Sequence, residues 1–217
     1  MLPRPLPAYD SRPYDFSDLA GDERWRRLIP RIPLAHASGF ANFRWVEPDR
    51  KPRFHVDPGA RHGYSAEGKT IPHDERSRPG AAGSMDTTIE DQARMWAGIV
   101  RGEGLSAASR AMLVRARLPI ASASRFPTLA RGQVAWPQQL AASLGLVIFV
   151  DRSGPAWFAG GHDDGTANMV ICPETGRRCV VMLSNDVRAE RIHPELARRV
   201  LGDTDMPWTR EDGWYQP

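Results

Sequence analysis

The fold of this 217-residue chain is decided by the stretch Leu144–Ser184, LGLVIFVDRSGPAWFAGGHDDGTANMVICPETGRRCVVMLS. Short apolar runs with β-branched and aromatic residues alternate in it with turns rich in Gly, Asp and Pro, a pattern typical of successive strands. We expect four strands, at Leu144–Val150, Trp157–Gly161, Ala167–Cys172 and Arg178–Ser184. The turn at 173–176 should join the last two as an antiparallel hairpin, and Ser184-Asn185-Asp186 should end the last strand.

Helices are expected before this stretch. Thr88 is a typical N-cap, Glu90 and Asp91 follow in the first turn, and Gly102 with Gly104 ends the run. A stripe of apolar residues at helical spacing supports this first helix: Ile89, Ala93, Trp96, Ala97 and Val100.

Two more helices follow from capping signals. Ser106 should start a helix that runs to about Arg117, before Pro119. His193 opens a final helix with Pro near its first position, and Gly202 ends it.

These elements predict an α+β fold, with an antiparallel sheet flanked by helices. We expect one domain with three parts. Residues 1–79 are rich in Pro and should form loops and extended pieces around the apolar nuclei Trp25–Leu34 and Phe40–Val46. Residues 80–202 should hold the helices and the sheet, and residues 203–217 a tail.

Composition excludes several classes of protein. The 29 Lys and Arg residues nearly balance 26 Asp and Glu, giving a net charge of +3, and the cations alternate with acids instead of forming a basic patch. We therefore expect no nucleic-acid partner. No apolar run approaches the ~18 residues of a membrane-spanning helix, so no membrane partner is expected either.

The two cysteines, Cys172 and Cys179, lie symmetrically about the turn at 175–176. A cross-strand disulfide is geometrically feasible there. The sequence does not open with a basic segment and an apolar run, so we expect no signal peptide, a cytoplasmic location and two reduced, half-buried thiols.

Several familiar catalytic motifs are missing. The sequence contains no GxSxG, no HExxH, no CxxC and no phosphate-cradling glycine loop. The two lysines, Lys51 and Lys69, are not preceded by Ser at the third position, so SxxK is missing as well. We expect no cofactor.

Three short segments could carry chemistry, and each has a plainer interpretation. The segment HASGF at 36–40 is most simply a capped turn. Tyr64 could act as a base if a neighbouring cation lowered its pKa, or it could be a packing residue.

His162 follows Gly160 and Gly161, where the backbone could approach a ligand and the imidazole could donate a proton. The same residues also suit a polar hairpin turn. Asp163 and Asp164 are adjacent and no second His lies at ligand spacing, so no metal site is expected.

The order of these segments resembles the serine beta-lactamase-related family, which includes class C-type beta-lactamases, D-alanyl-D-alanine carboxypeptidases and esterases. The resemblance extends from about Asp22 to Leu201 and rests on four segments: HASGF at 36–40, PGARHGYSAEG at 58–68, AAGSMDTTIEDQARM at 81–95 and GGHDDGTANMVICPETGRRCVVMLSND at 160–186. It implies a beta-lactamase/transpeptidase-like antiparallel sheet flanked by helices, incomplete in this chain.

The resemblance also implies roles for individual residues. Tyr64 matches the tyrosine that helps to activate the nucleophile. The family's KTG-like triplet falls on Ala159-Gly160-Gly161, so that Gly161 would line the substrate cleft and His162 would stand at its edge.

The chain departs from the family pattern at important places. The SxxK that should precede HASGF is missing, Ala159 stands where Lys or His is usual, and Ala66 stands where Asn is frequent. A segment also looks lost between Gly68 and Lys69. The chain is therefore expected to be the later part of such a hydrolase, truncated in front and shortened within.

The resemblance implies hydrolysis of a cyclic amide, a D-Ala-D-Ala peptide or an ester through an acyl-enzyme. Without the nucleophile, this chain by itself is expected to be inactive. One alternative is a non-catalytic binding or remnant domain of the same fold. Another is a fragment complemented by a chain that supplies SxxK, in which exposed apolar sheet surface would favour self-association.

Overall fold

The computed structural model describes residues 62–71, 87–124, 132–163 and 165–211. The expectations for HASGF, for the nuclei Trp25–Leu34 and Phe40–Val46, and for the start of the AAGSM segment lie outside these residues.

The described residues form an α+β structure with two antiparallel sheets. A small sheet pairs β1 (Gly63–Tyr64) with β2 (Thr70–Ile71). The main sheet has six strands, each paired with its neighbours in sequence. They are β3 (Leu118–Pro119), β4 (Ala141–Ala142), β5 (Val147–Asp151), β6 (Gly154–Asp163), β7 (Thr166–Pro173) and β8 (Val180–Ser184).

The four strands expected from sequence are confirmed as β5 to β8, with changed ends. β5 begins only at Val147, because Gly145 has a φ of 80° and the Ser143 N–H donates to the Leu146 carbonyl in a preceding turn. β6 and β7 are longer than expected because Asp163 pairs with Thr166, which leaves a turn of only two residues between the strands.

Alternate residues of β6 and β7 face two separate cores, as the period of a strand requires. Trp157 and Val170 pack on one face against the helices that precede the sheet. Phe158 and Ile171 pack on the other face against the helix that follows it. Because both faces are covered, these strands consist of continuous apolar runs.

The first helix, α1 (Ile89–Arg101), has the predicted caps. Thr88 accepts a hydrogen bond from the Asp91 N–H, and Gly102 ends the helix with a φ of 76°. The predicted apolar stripe is wrong at its N-terminal end: Ile89 is 51% exposed and Ala93 is also exposed. The contact with the sheet is made by Trp96 and Val100 of the predicted stripe and by Ile99, with the Trp96 and Trp157 rings 5.6 Å apart.

The second helix, α2 (Ala107–Leu113), starts at the predicted cap Ser106 but ends earlier than Arg117. The Ser143 hydroxyl lies 2.6 Å from the Leu113 carbonyl oxygen and 2.7 Å from that of Arg115. The Arg117 N–H donates to the Ala142 carbonyl. The sheet therefore takes the backbone groups that a longer helix would have used.

The expectation of two reduced thiols is wrong, because Cys172 and Cys179 form a disulfide across the β7–β8 hairpin. The β7–β8 register places the two residues opposite each other, with their Cα atoms 4.3 Å apart. That spacing is typical of a non-hydrogen-bonded antiparallel pair. Cys172 is fully buried and Cys179 half-buried.

The same hairpin is also held by Glu174. Its carboxylate accepts hydrogen bonds from the Arg110 guanidinium at 2.8 Å and 3.0 Å and from the Trp157 indole N–H at 2.6 Å. One carboxylate thereby ties α2 to the hairpin and satisfies the polar atom of a buried tryptophan.

The chain ends against the second face of the sheet. A helix predicted there is confirmed as α3 (His193–Leu201), followed by the short α4 (Trp208–Glu211). Within the region assigned to a tail, Met206 is buried in the core beside Phe158.

Asp151 holds this segment in place. Its carboxylate accepts hydrogen bonds from Ser153, Thr204 and the Asp205 N–H. Burial favours a raised pKa for Asp151, but these hydrogen bonds outweigh it and lower the pKa.

Among the described helices, none is long and apolar enough to cross a bilayer.

We expect reduction of Cys172–Cys179 to lower the free energy of unfolding by about 2 kcal/mol, because the bond removes loop entropy from the unfolded chain. Urea unfolding followed by tryptophan fluorescence, with and without dithiothreitol, measures the difference. The Cys172→Ser/Cys179→Ser variant is the control and should not respond to the reductant. Equal stability of the oxidised and reduced wild-type protein would contradict the prediction.

Candidate functional site

The turn after Tyr64 is organised by one hydroxyl group. Ser65 Oγ accepts hydrogen bonds from the Glu67 and Lys69 N–H groups, each at 3.2 Å, and lies 2.8 Å from Glu67 Oε2 as a donor. Gly68 completes the turn with a φ of 76°. These contacts join β1 to β2 and fix the direction in which the turn faces.

The turn docks on the end of β8. The Tyr64 N–H donates to the Asn185 carbonyl at 2.8 Å, and the Asn185 side-chain amide donates to the His62 carbonyl at 2.7 Å. Asn185 follows directly after Ser184, the last residue of β8, so the predicted end of that strand is confirmed.

The turn also touches the β6–β7 hairpin through two glycines. A Cβ atom added to Gly63 would lie 2.6 Å from the Gly165 carbonyl oxygen and 2.7 Å from its Cα. Side chains cannot fit into this backbone contact, so glycine at 63 allows the Tyr64 segment to reach the end of β6.

His162 lies at that end of β6 and faces the same side of the sheet as Phe158. Its Nδ1 is 2.7 Å from Oε1 of Glu190, whose side chain is almost fully buried. A proton on Nδ1 is donated to this carboxylate, so that in the neutral ring Nε2 carries the lone pair. The carboxylate therefore sets both the tautomer and the orientation of the imidazole.

Glu190 belongs to a 3₁₀ turn, Val187–Ile192, which connects β8 to α3. Asp186 caps the turn by accepting from the Arg188 N–H at 2.9 Å. It also binds the Arg188 guanidinium, whose Nη2 is 2.5 Å from Oδ2. This pairing lowers the pKa of Asp186 and raises the pKa of Arg188.

These elements border an open cleft of about 390 Å³, here called the His162 cavity. Its walls are the 65–71 turn, His162 and the 187–191 segment. Arg188 lies close over the turn, since a Cβ on Gly68 would be 2.8 Å from its Nη1. Three parts of the chain that are distant in sequence thus meet around one imidazole–carboxylate pair.

Of the residues predicted for the site, His162 lines the cavity. Tyr64 is 37% exposed and precedes Ser65, which lines it. Gly161, in β6, pairs with Asn168 of β7 and is not a lining residue of the cavity. The roles assigned to Tyr64 and Gly161 by the resemblance stay predictions.

Sequence reasoning missed Glu190, Arg188 and Arg191, the charged wall of the cavity. The alternation of charge in Arg188–Arg191 resembles a solvated surface, and no local pattern indicates that Glu190 is 8% exposed. One sequence feature could have indicated this wall. Asp186, a good capping residue soon after the end of a strand, predicts a helical turn that includes residues 188–191.

His193 is buried next to this wall. It is 2% exposed, and its Nδ1 has no hydrogen-bond partner. Burial lowers the pKa of His193, and the nearby Glu190 carboxylate opposes this only in part. His193 is therefore a neutral core residue near neutral pH.

The described residues include no cluster of three or more His, Cys, Asp or Glu side chains that could hold a metal ion. A comparison with models of known protein families finds no match for this chain, and a search of curated proteins finds no relative.

We expect Gly63→Ala to lower the free energy of unfolding by about 1–3 kcal/mol, since its Cβ would press on the backbone of Gly165. Gly161→Ala is the matched control. Its Cβ would meet only Asn168 Nδ2, at 3.9 Å, so the change should be under about 0.5 kcal/mol. Urea unfolding measures both variants, and an equal loss in the two would disprove the close contact.

The buried His193 should make stability dependent on pH. Its pKa is lowered in the folded state, so the unfolded chain binds the proton more tightly, and stability falls as pH drops below the ordinary value of 6.5. We expect His193→Phe to lose less unfolding free energy than the wild type between pH 7.5 and pH 5, as measured by urea titrations. The exposed His62→Gln should keep the wild-type dependence, and a wild-type slope in His193→Phe would refute this assignment.

Proposed function

We propose that this chain is related to the serine beta-lactamase family, and that it binds a small amide or ester ligand in the His162 cavity without forming an acyl-enzyme. The observation that carries this proposal is the meeting of the Tyr64–Ser65 turn with the His162 end of β6 around one cavity. These are the two segments to which the family resemblance assigns the catalytic tyrosine and the cleft-lining strand.

The order of the elements supports the proposal. β6, β7 and β8 follow one another as antiparallel neighbours, the last ends at Ser184-Asn185, and a helix then packs back on the sheet. The helix that starts at Thr88 precedes them, as the AAGSMDTT segment implies. The order of these elements is the support that the described residues give to the family resemblance.

The missing nucleophile argues against acyl transfer by this chain. An acyl-enzyme requires an activated hydroxyl, and neither lysine of the sequence follows a serine by three residues. Ser65 is the serine that lines the cavity, and its hydroxyl is already engaged with Glu67 and Lys69 in the turn. These hydrogen bonds indicate that Ser65 has a structural role in the turn.

In the family a Lys or His is usual at the position of Ala159. In this chain His162 supplies a polar side chain to the cavity from another position. Ala159 packs against the Trp157 cluster on the opposite face of the sheet. His162, three residues later, lies on the cavity side, held by Glu190. An imidazole fixed in this way can donate to or accept from a carbonyl or ester oxygen of a ligand.

Two measurements test the proposal. Intact-mass spectrometry after incubation with a fluorophosphonate or with benzylpenicillin should show no covalent adduct. NMR titration with the dipeptide D-Ala-D-Ala should show weak reversible binding, with shifts at residues 65–71 and at His162. His162→Ala should weaken this binding at least about tenfold, equivalent to the loss of a ligand hydrogen bond.

The matched control is His62→Ala, because His62 is exposed and contributes its backbone carbonyl, which the substitution keeps. It should bind as the wild type does. A covalent adduct would establish an active hydrolase instead. Binding that is equal in His162→Ala and the wild type would refute a ligand site at this cavity.

A further inference from the structure

The pair formed by His162 and Glu190 has a geometry that suits general-base catalysis. Nδ1 of the imidazole lies 2.7 Å from Glu190 Oε1, and the Glu190 side chain is only 11% exposed. The His162 side chain is 26% exposed and lines the cavity. Since the Nδ1 edge of the ring faces the buried carboxylate, the exposed part is the opposite edge, which carries Nε2. An imidazole that donates from Nδ1 to a carboxylate accepts a proton at Nε2.

Glu190 also stabilises the charge that such a step creates. When Nε2 takes up a proton the ring becomes a cation, and a carboxylate in hydrogen-bond contact favours this charged form. The other imidazole near Glu190 belongs to His193, whose pKa is lowered by burial. Within the described part of the chain, no arginine forms an ion pair with Glu190. The closest partner of this carboxylate is therefore the imidazole of His162.

Two guanidinium groups belong to the same wall of the cavity. Arg188 is bound by Asp186, with Nη2 2.5 Å from Oδ2. Arg191 lines the cavity as well, and Asp186 acts on it through charge without a hydrogen bond. The attack of water on a carbonyl group leaves a negative charge on the carbonyl oxygen, which a guanidinium group can stabilise. Arg191 is the group of this wall that suits such a role.

The charges in and around the cavity favour an uncharged ligand. A hydrogen bond from the Ser65 hydroxyl lowers the pKa of Glu67, so that this carboxylate is ionised at neutral pH. Among the described side chains, three cations then stand against three carboxylates: Arg188, Arg191 and Lys69 against Asp186, Glu67 and Glu190. With no excess of either sign, the site has no net charge with which to select an ionised ligand.

We propose that His162 acts as a general base that activates water for the hydrolysis of a small neutral ester in the His162 cavity. This inference rests on the ligand binding proposed above and adds a reaction to it. The water oxygen bonds to the carbonyl carbon while Nε2 takes one of its protons, and Arg191 stabilises the oxyanion. The C–O bond to the alcohol then breaks, and the imidazolium returns the proton to the departing oxygen. The products are a carboxylic acid and an alcohol, and no acyl-enzyme forms.

Hydrolysis of p-nitrophenyl acetate by the full chain, followed by the absorbance of p-nitrophenolate, tests the role of His162. His162→Gln keeps a hydrogen-bond donor for Glu190 but has no basic nitrogen, and should lower kcat at least about 100-fold. Added imidazole should restore part of the rate in His162→Ala, after subtraction of the rate with imidazole alone. The matched control is the exposed His62→Ala, which should keep the wild-type kcat. The wild-type rate should be lower in D₂O than in H₂O, because a proton moves in the step.

Two further variants test the groups around the imidazole. Glu190→Gln should lower kcat about tenfold or more with little change in KM, because Glu190 positions the ring and does not touch the ester. Arg191→Gln should also lower kcat about tenfold or more, through loss of oxyanion stabilisation. Arg198→Gln is its matched control, since Arg198 is an exposed residue of α3 that does not line the cavity.

Three results would overturn the proposal: no wild-type hydrolysis above the rate in buffer, equal kcat in His162→Gln and the wild type, or equal rates in H₂O and D₂O. The last result would indicate direct attack by the imidazole in place of water. The NMR titration with D-Ala-D-Ala tests the ligand site separately. Binding that depends on His162, without hydrolysis of the ester, would leave the proposed function standing and refute this inference alone.

Discussion

The rest of the structure depends on the antiparallel pairing of β6 with β7. These strands share eight register pairs, from Ala156–Pro173 to Asp163–Thr166. Their alternate side chains build both cores, with Trp157 facing α1 and α2 and Phe158 facing α3. A shift of one residue would exchange the two faces and leave His162 on the wrong side of the sheet. The register therefore determines the packing and the site together.

The site exists because backbone segments approach each other closely at one end of this hairpin. The two-residue turn before Thr166 keeps β6 in register as far as Asp163, and Gly63 against Gly165 lets the Tyr64 turn reach it. The buried carboxylate of Glu190 then holds His162 in one orientation. The hydrogen bonds of Ser65, Asp186 and Glu190 thus hold the three walls of the cavity.

Sequence reasoning succeeded where the determining forces are local. The cap Thr88, the end at Gly102 and the four long strands were predicted because capping groups and apolar runs act over a few residues. It failed for Cys172 and Cys179, whose thiols were expected to be reduced because no signal-peptide pattern was found. The hairpin places their Cα atoms 4.3 Å apart, and they form a disulfide. It also failed for Ile89, because periodicity along the helix does not show which part of an apolar stripe the sheet covers, and the contact with the sheet involves Trp96, Ile99 and Val100.

The sequence by itself determined the α+β class, the order of the three longer helices and of β5 to β8, and the lack of a Ser-x-x-Lys pair. It also singled out His162 as a residue near a glycine-rich turn. Only the tertiary structure decided that His162 pairs with Glu190, which lies 28 residues away, and that the 65–71 turn lines the same cavity. The physical reason is that propensity and periodicity act along the chain, whereas the partner of a buried carboxylate is chosen by the packing of elements that are distant in sequence.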